Sequence, residues 1–286
     1  MVIKLPLKRA GRAAAAFALV ALLLLAGRGR ALRADAAQRV PLPILMYHHI
    51  LRDGTRHNKY TISPDEFKAD LQFLADQGYQ TVTVAQLLAF VREGVPLPPK
   101  PVMLTFDDGY ESFYAYAYPL LQEYGFCAVY TVIGRYADAY TDHEDHNLNY
   151  AHCTWEQLDE LQKSGLVEIG NHSYDLHTYD RGRRGSMRVS GESADAYEDT
   201  LRQDLGRLQA QCRMYLGWEP VLFAYPFGYI STESLDTLKD MGFQVALTCN
   251  ERINLLDGSA EQLYALGRFN RPHGRSAQEI FRHAGL

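Results

Sequence analysis

From residue 42 onward, short apolar runs alternate along the chain with stretches whose apolar residues recur every three to four positions. Short continuous runs suit buried strands, and the longer period suits amphipathic helices. Strands are predicted at "PILMY" (43–47), "TVTV" (81–84), "PVMLTF" (101–106), "CAVYTVIG" (127–134), "LVEIG" (166–170), "VLFAYP" (221–226) and "QVALTC" (244–249). Between them, "SPDEF" at 63–67 opens a helix: Ser63 can cap it, Pro64 suits its first position, Glu66 closes a capping box, and Phe67, Leu71 and Leu74 form the buried stripe. Gly78 stops it. Further helices are predicted over "AQLLAFVREG" (85–94), 110–123, from a box made by Thr154 and Gln157, over 193–210 with Leu201, Leu205 and Leu208 on one side, and over 232–241. The segment 135–153 and the basic "RGRRGSMR" at 181–188 break the pattern and are expected to be excursions or long loops. Repeated strand–helix units argue for a parallel sheet with covering helices, closed or nearly closed into a barrel.

Composition adds a second segment to this picture. Of 286 residues, 47% are hydrophobic and 22% charged, which suits one globular domain of about 200–250 residues plus something extra. The extra lies at the start, where Lys4, Lys8, Arg9 and Arg12 precede the unbroken apolar run "AAAAFALVALLLLAG" at 13–27. Residues 1–38 are therefore expected to be a signal peptide, with "ADA" at 34–36 as a cleavage site, or else an N-terminal membrane anchor. Export would place the remaining domain, 39–286, outside the cell, in the wall or tethered to the outer face of a membrane. Removing the seven basic residues and one acid of 1–38 from the 29 and 34 of the whole chain leaves 22 basic against 33 acidic residues, a net charge of −11. An acidic domain repels phosphate backbones, so nucleic acid is excluded as a partner. The four cysteines, Cys127, Cys153, Cys212 and Cys249, form no CxxC pair and suggest neither a zinc ribbon nor a disulfide scaffold. Cys127 and Cys249 lie in apolar runs and read as core thiols, with one disulfide open to an exported chain.

In a parallel barrel, residues at the C-terminal ends of the strands converge on one face. "YHH" (47–49) follows the first run, "DDGY" (107–110) the third, "NHSYDLH" (171–177) the fifth and "PFG" (226–228) the sixth, so carboxylates and imidazoles collect on one rim. Asp-Gly by itself is a common turn signal, and "NHSYDLH" by itself could be a capped helix start bearing surface histidines. Together they say more. His172 and His177 are five apart, which turns them about 140° from each other on a straight helix and onto opposite faces of a strand. Only an irregular turn brings both imidazoles to one point. Two neutral imidazoles and a carboxylate, with one position left for water, make a catalytic zinc shell. Adjacent aspartates raise each other's proton affinity, but a dication beside them removes the conflict: one carboxylate binds it and the other stays free as a base.

In this order and strand context, "TFDDGY", "NHSYDLH" and "YPFG" resemble the motifs of the NodB-type polysaccharide deacetylases, the carbohydrate esterase 4 family. The resemblance spans about residues 42–272, and the five-residue histidine spacing is similar to the branch that deacetylates poly-N-acetylglucosamine. It implies an α/β fold, a distorted (β/α)7 barrel, and a divalent metal cofactor, zinc foremost. It implies Asp107 as catalytic base, Asp108, His172 and His177 as metal ligands, and the Phe227 amide as an oxyanion donor. Two departures stand out: Ala224 occupies the place of a motif arginine that steadies the base, and no Leu-x-His precedes the last strand to supply a general acid. Arg268 could replace the arginine from another strand, and His48 and His273 are the candidates for the acid. Tyr110, His48 and Arg268 are the expected substrate contacts. The implied reaction removes acetyl groups from an N-acetylated polysaccharide such as poly-N-acetylglucosamine or peptidoglycan. The alternatives are O-deacetylation of an acetylated xylan-type polymer, or a weakly active glycan-binding module of the same fold.

Three features stand apart. "DHEDHN" at 142–147 has irregular spacing and reads as a solvated loop rather than a second metal site. Trp155 and Trp218 read as packing residues. Asp175, between the two histidines, either orients a ligand imidazole or faces water.

Overall fold

The computed structural model describes residues 39–286, so the expected signal or anchor segment at 1–38 lies outside the described residues. Among the described residues no helix is long and apolar enough to cross a membrane. In chain order the elements are β1 (Val40–Leu42), β2 (Ile44–Tyr47), β3 (His49–Ile50), β4 (Thr61–Ile62), α1 (Pro64–Asp76), β5 (Gln80–Thr81), α2 (Val84–Glu93) and β6 (Pro101–Phe106). Then come α3 (Tyr118–Tyr124), β7 (Ala128–Val132), α4 (Gly134–Asp142), α5 (Trp155–Lys163), β8 (Val167–Asn171) and α6 (Ala194–Leu216). The chain finishes with β9 (Leu222–Ala224), α7 (Ser234–Asp240), β10 (Val245–Leu247), β11 (Asn254–Leu256), β12 (Phe269–Asn270) and α8 (Ala277–Ala284).

Seven strands run parallel in the order β10, β9, β8, β7, β6, β2, β12. The two ends of this sheet are drawn together just before β12. Leu266 bridges Leu247 in parallel fashion, its N–H donating to Ala246 at 3.0 Å and its carbonyl accepting from Thr248 at 2.8 Å. This is the distorted (β/α)7 barrel that the alternation and the motifs implied. All six residues of β6 are buried, the signature of a strand covered on both faces. Alternate side chains sort accordingly. Leu45, Leu104, Phe106 and Tyr130 pack with Phe67, Leu71 and Leu74 of α1 and Leu158 and Leu161 of α5, while Ile44, Met103, Val129, Leu222 and Val245 form a second cluster with Val84 and Leu87 of α2.

The capped helix at Ser63 forms as read, with the Ser63–Glu66 box and Pro64 in the first turn. Elsewhere the boundaries move for identifiable reasons. "TVTV" is not a strand through 84, because Thr83 and Gln86 make a second capping box and start α2. The helix expected over 110–123 starts at Glu111 and carries a π turn at Phe113–Ala117, two residues before Pro119, which has no N–H to continue an α ladder. The first part of 135–153 is not loop but α4, and α6 runs on to Leu216 because Cys212 and Leu216 extend its buried stripe. Two small pairings escaped the pattern altogether: β1 runs antiparallel to β11, and β3 pairs with β4. All four cysteines are free thiols; Cys153 and Cys212 are buried, whereas Cys127 and Cys249 are only half-buried.

Candidate active site

Strand β6 delivers the aspartate pair. The Asp107 amide still donates to the Tyr47 carbonyl at 3.0 Å, so its side chain follows the strand alternation inward, beside Thr105. Its carboxylate takes two parallel bonds from the Arg268 guanidinium, at 2.7 and 2.8 Å, and a third from Thr131 Oγ1 at 2.7 Å. Burial alone would raise its proton affinity, but the Arg268 charge overrides this, with His172 adding to it, and holds Asp107 well below the usual carboxylate range. Arg268 is itself wholly buried, with Nε donating to the Thr248 carbonyl at 3.0 Å and Nη1 to Thr105 Oγ1 at 3.2 Å. This corrects its expected role as a substrate contact: a side chain with 0% exposure has no surface to offer a ligand. Its guanidinium is directed instead at Asp107, from just before β12 and not from β9, the strand that carries Ala224.

Asp108 turns away from its neighbour because the backbone changes hand there. Asp108 has φ 77° and Gly109 φ 86°, and left-handed backbone at a non-glycine residue costs about 1–3 kcal/mol. The reward is orientation. Asp108 Oδ1 is buried with no hydrogen-bond partner and lies 3.6 Å from His172 Nε2 and 3.5 Å from His177 Nε2. His172 Nδ1 lies 2.8 Å from the Ala224 carbonyl, so this nitrogen carries the proton and Nε2 presents its lone pair to Asp108. The irregular turn demanded by the five-residue spacing centres on Ser173, at φ 78°. Burial, then the Asp107 charge, push Asp108 up to about 7, and burial with the neighbouring His172 pulls His177 down to about 3. An orphaned carboxylate oxygen facing the Nε2 atoms of two neutral imidazoles, all within 4.8 Å of one another, fits a divalent cation.

The "PFG" turn forms the next wall. Phe227 has φ 58°, and the following Gly228, φ 72°, sits so close to Cys249 that a Cβ there would lie 2.5 Å from the Cys249 Cβ. Its ring packs on His177 at 4.1 Å and on Tyr179 at 4.3 Å between centroids. These groups open into a cavity of about 640 Å³, walled also by His48, Tyr60, Tyr110 and Tyr229. Tyr110 is wedged between His49 and His152, with centroids 4.1 and 4.5 Å away. His48 Nδ1 is buried without a partner, and burial outweighs the nearby Asp107 charge to pull this imidazole down to about 4.

His273, the other imidazole considered as acid, is not among the residues that line the cavity. Its Nδ1 is 2.9 Å from Glu66 and its amide donates to Asn58, which fixes it against the start of α1 beside His57. Asp175 contacts neither ligand imidazole; it pairs with Arg135 at 2.6 Å. The 142–147 loop is more than solvated: His146 reaches Glu111 at 2.6 Å, and the following residues clamp the aspartate turn through Glu111 N–H to Ala151, Cys153 N–H to Gly109 and a bridge between Tyr110 and His152. Sequence reading missed Thr131, Tyr60, Tyr179 and Tyr229. Only Tyr179, two residues past His177, had a positional signal.

Residues 94–246 match the family described as polysaccharide deacetylase. Among curated proteins, the chain is 26% identical over 242 residues to the poly-beta-1,6-N-acetyl-D-glucosamine N-deacetylase of Escherichia coli, a match covering 78% of this chain and 35% of that protein. The chain thus spans about a third of the length of that relative. Among solved structures, IcaB from Ammonifex degensii superposes with a TM-score of 0.70 at 27% identity, covering 86% of this chain and 96% of that one. A de-N-acetylase from Aggregatibacter actinomycetemcomitans shares the fold, with a TM-score of 0.72 at 24% identity over 85% of this chain and 99% of that one.

Proposed function

This chain belongs to the polysaccharide deacetylase family, and on that premise we propose that it is a metal-dependent hydrolase that removes acetyl groups from an N-acetylated glycan of the poly-N-acetylglucosamine kind. The observation carrying this reading is the orphaned Asp108 Oδ1 within 3.6 Å of two imidazole nitrogens, beside a second aspartate kept anionic. Asp108, His172 and His177 would hold the ion. A divalent cation bound there supplies Lewis-acid polarisation of the acetyl carbonyl and lowers the pKa of the attacking water.

The chain's own residues supply the rest. Asp107 accepts the water proton; Arg268 and Thr131 fix its carboxylate so that little reorganisation is needed at the moment of transfer. The Phe227 amide donates to the developing oxyanion, a contribution worth about 3 kcal/mol for one such donor. Of the two imidazoles considered as acid only His48 lines the cavity, so we assign protonation of the leaving amine to it; held neutral by burial, it would first take up the proton released from the attacking water and then pass it on. Tyr179 and Tyr229 offer aromatic faces of the kind that pack on sugar rings, whereas Tyr110, stacked between His49 and His152, meets the cavity without a free face. The basic and apolar segment at 1–38 supports action outside the cell, with 39–286 as the catalytic domain.

The test is acetate release from N-acetylglucosamine oligomers and from acetylated xylan by Zn2+-loaded protein, with His172→Ala and Asp107→Asn as controls. The proposal expects release from the first substrate, loss on chelation and loss in both variants. Activity that survives chelation would refute the metal; preference for xylan would move the reaction to O-deacetylation.

A further inference from the structure

The two imidazoles that face Asp108 are separated by a segment that is neither helix nor strand, and its peptide groups are satisfied from outside. The Ser173 amide donates to Asn171 Oδ1 at 2.8 Å. The Ser173 and Tyr174 carbonyls accept from Gly134 and Arg135, the otherwise orphaned first amides of α4, at 3.1 and 3.0 Å. The Tyr174 and Asp175 amides donate to the two carboxylate oxygens of Asp204, each at 2.8 Å. Asp204 lies in the middle of α6, where aspartate is a poor helix former, and spends its charge on another segment's backbone.

The same helix face grips the loop twice more. Arg207 stacks over the Tyr174 ring, 3.6 Å from its centroid, and Gln211 donates at 2.7 and 2.8 Å to Asp138, whose carboxylate also accepts from the Tyr174 hydroxyl. Residues 204, 207 and 211 recur at three and four positions, so they form one polar row along the helix, beside the buried stripe of Leu201, Leu205, Leu208 and Cys212. On the other side the fit is tight: a Cβ on Gly134 would lie 2.7 Å from the Tyr174 ring.

We propose that Asp204 is a positioning residue for the metal site: by accepting the Tyr174 and Asp175 amides it holds open the turn that brings His172 and His177 to one point. The inference rests on the metal reading above. Without Asp204, two amides lose their partners, and the segment can relax toward regular backbone, in which the imidazoles diverge by about 140°. Asp204 touches neither imidazole, substrate nor reacting atoms.

The experiment measures Zn2+ affinity of the full chain by competition with a chromophoric chelator, and the visible d–d absorption of bound Co2+, for wild type, His172→Ala and Asp204→Asn. Removing groups that orient metal ligands typically costs about 10–100-fold in affinity. The proposal expects D204N to weaken Zn2+ about tenfold or more and to change the Co2+ band, since one amide finds an N–H instead of an acceptor. A D204N affinity within about twofold of wild type, with an unchanged band, overturns it. If H172A binds Zn2+ as wild type does, the metal reading itself has failed, a distinct outcome. Should D204N not fold, Asp204→Glu, which keeps both oxygens but displaces them by one methylene, decides in the same way: weakening supports the proposal and an unchanged affinity overturns it.

Discussion

Arg268 and Asp107 meet through two parallel N–H···O bonds, 2.7 and 2.8 Å long, with side-chain exposures of 0 and 3%. The guanidinium comes from the segment that draws the barrel ends together and the carboxylate from the end of β6, so one ion pair joins closure of the fold to the proposed base.

Removing one partner of such a pair leaves a buried charge, at a cost of about 3–5 kcal/mol. Arg268→Met should therefore destabilise the protein by about that much, and acetate release should fall because Asp107 loses its orientation and its preference for the anion. Arg268→Lys keeps the charge but not the fork, and should lie between the two. The depressed proton affinity of Asp107 stabilises the fold fully above the ordinary carboxylate range and progressively less as pH falls from that range toward the lower folded value. Urea unfolding from pH 7 down to pH 3 checks both statements, and an R268M protein as stable as wild type at neutral pH would contradict them.

Phe227 combines a proposed amide role with an aromatic wall, and one substitution separates them. Its φ of 58° is unfavourable for phenylalanine and free for glycine, so Phe227→Gly keeps the amide and removes the ring from His177 and Tyr179. The expected outcome is a raised KM with kcat within about threefold of wild type. A kcat lowered by about the 10²–10³ that one oxyanion donor is worth would show instead that the ring, not the glycine-compatible backbone, sets the geometry.

The aspartate pair, both histidines and the "PFG" turn were legible because each sits where an apolar run ends, and runs that end together in a parallel barrel share a rim. The aromatic walls were not. Tyr60 and Tyr229 reach the cavity from loops whose course depends on tertiary packing, and nothing in their spacing marks them among 19 tyrosines. Arg268 could be suspected as a replacement for a missing arginine, but its total burial came from a parallel bridge of one residue pair, Leu247 with Leu266, too short to read as a strand. His273 misled for the opposite reason. A histidine shortly after the last strand suggested an acid, while Glu66, more than 200 residues earlier, held the imidazole elsewhere.

Asp70 makes a stability prediction away from the chemistry. Buried in α1, it accepts from Arg271 Nε at 2.6 Å, from the Ala277 amide at 2.8 Å and from the Tyr47 hydroxyl at 3.2 Å, so it fastens β2 and the start of α8 to α1. Asp70→Ala strands three donors, one of them a buried guanidinium, and should cost about 3–5 kcal/mol. Because no contact reaches the cavity, the surviving folded fraction should bind Zn2+ as wild type does. Thermal unfolding with parallel Zn2+ titration checks this, and altered Zn2+ affinity in the folded fraction would mean that the pair acts on the site.

Glu66 carries a pH prediction whose sign follows from its partners. Burial pushes its carboxyl up, but the Ser63 and Gly274 amides and the His273 imidazole outweigh this and bring it from 4.5 to about 2. A carboxyl depressed on folding stabilises the protein above its unfolded value and loses that contribution as pH falls through the folded one. The window is therefore from pH 4.5 down to about pH 2. Glu66→Gln still closes the capping box, since glutamine serves at that position, but its NH2 then meets the Gly274 amide, so the substitution removes the charge and one acceptor, and only the pH-dependent part of its effect reports the charge. The Tm gap between wild type and E66Q should be widest above pH 4.5 and should shrink steadily toward pH 2. A gap that stayed constant across this range would mean that Glu66 acts only as a hydrogen-bond acceptor, and that its contacts with Gly274 and His273 owe nothing to its charge.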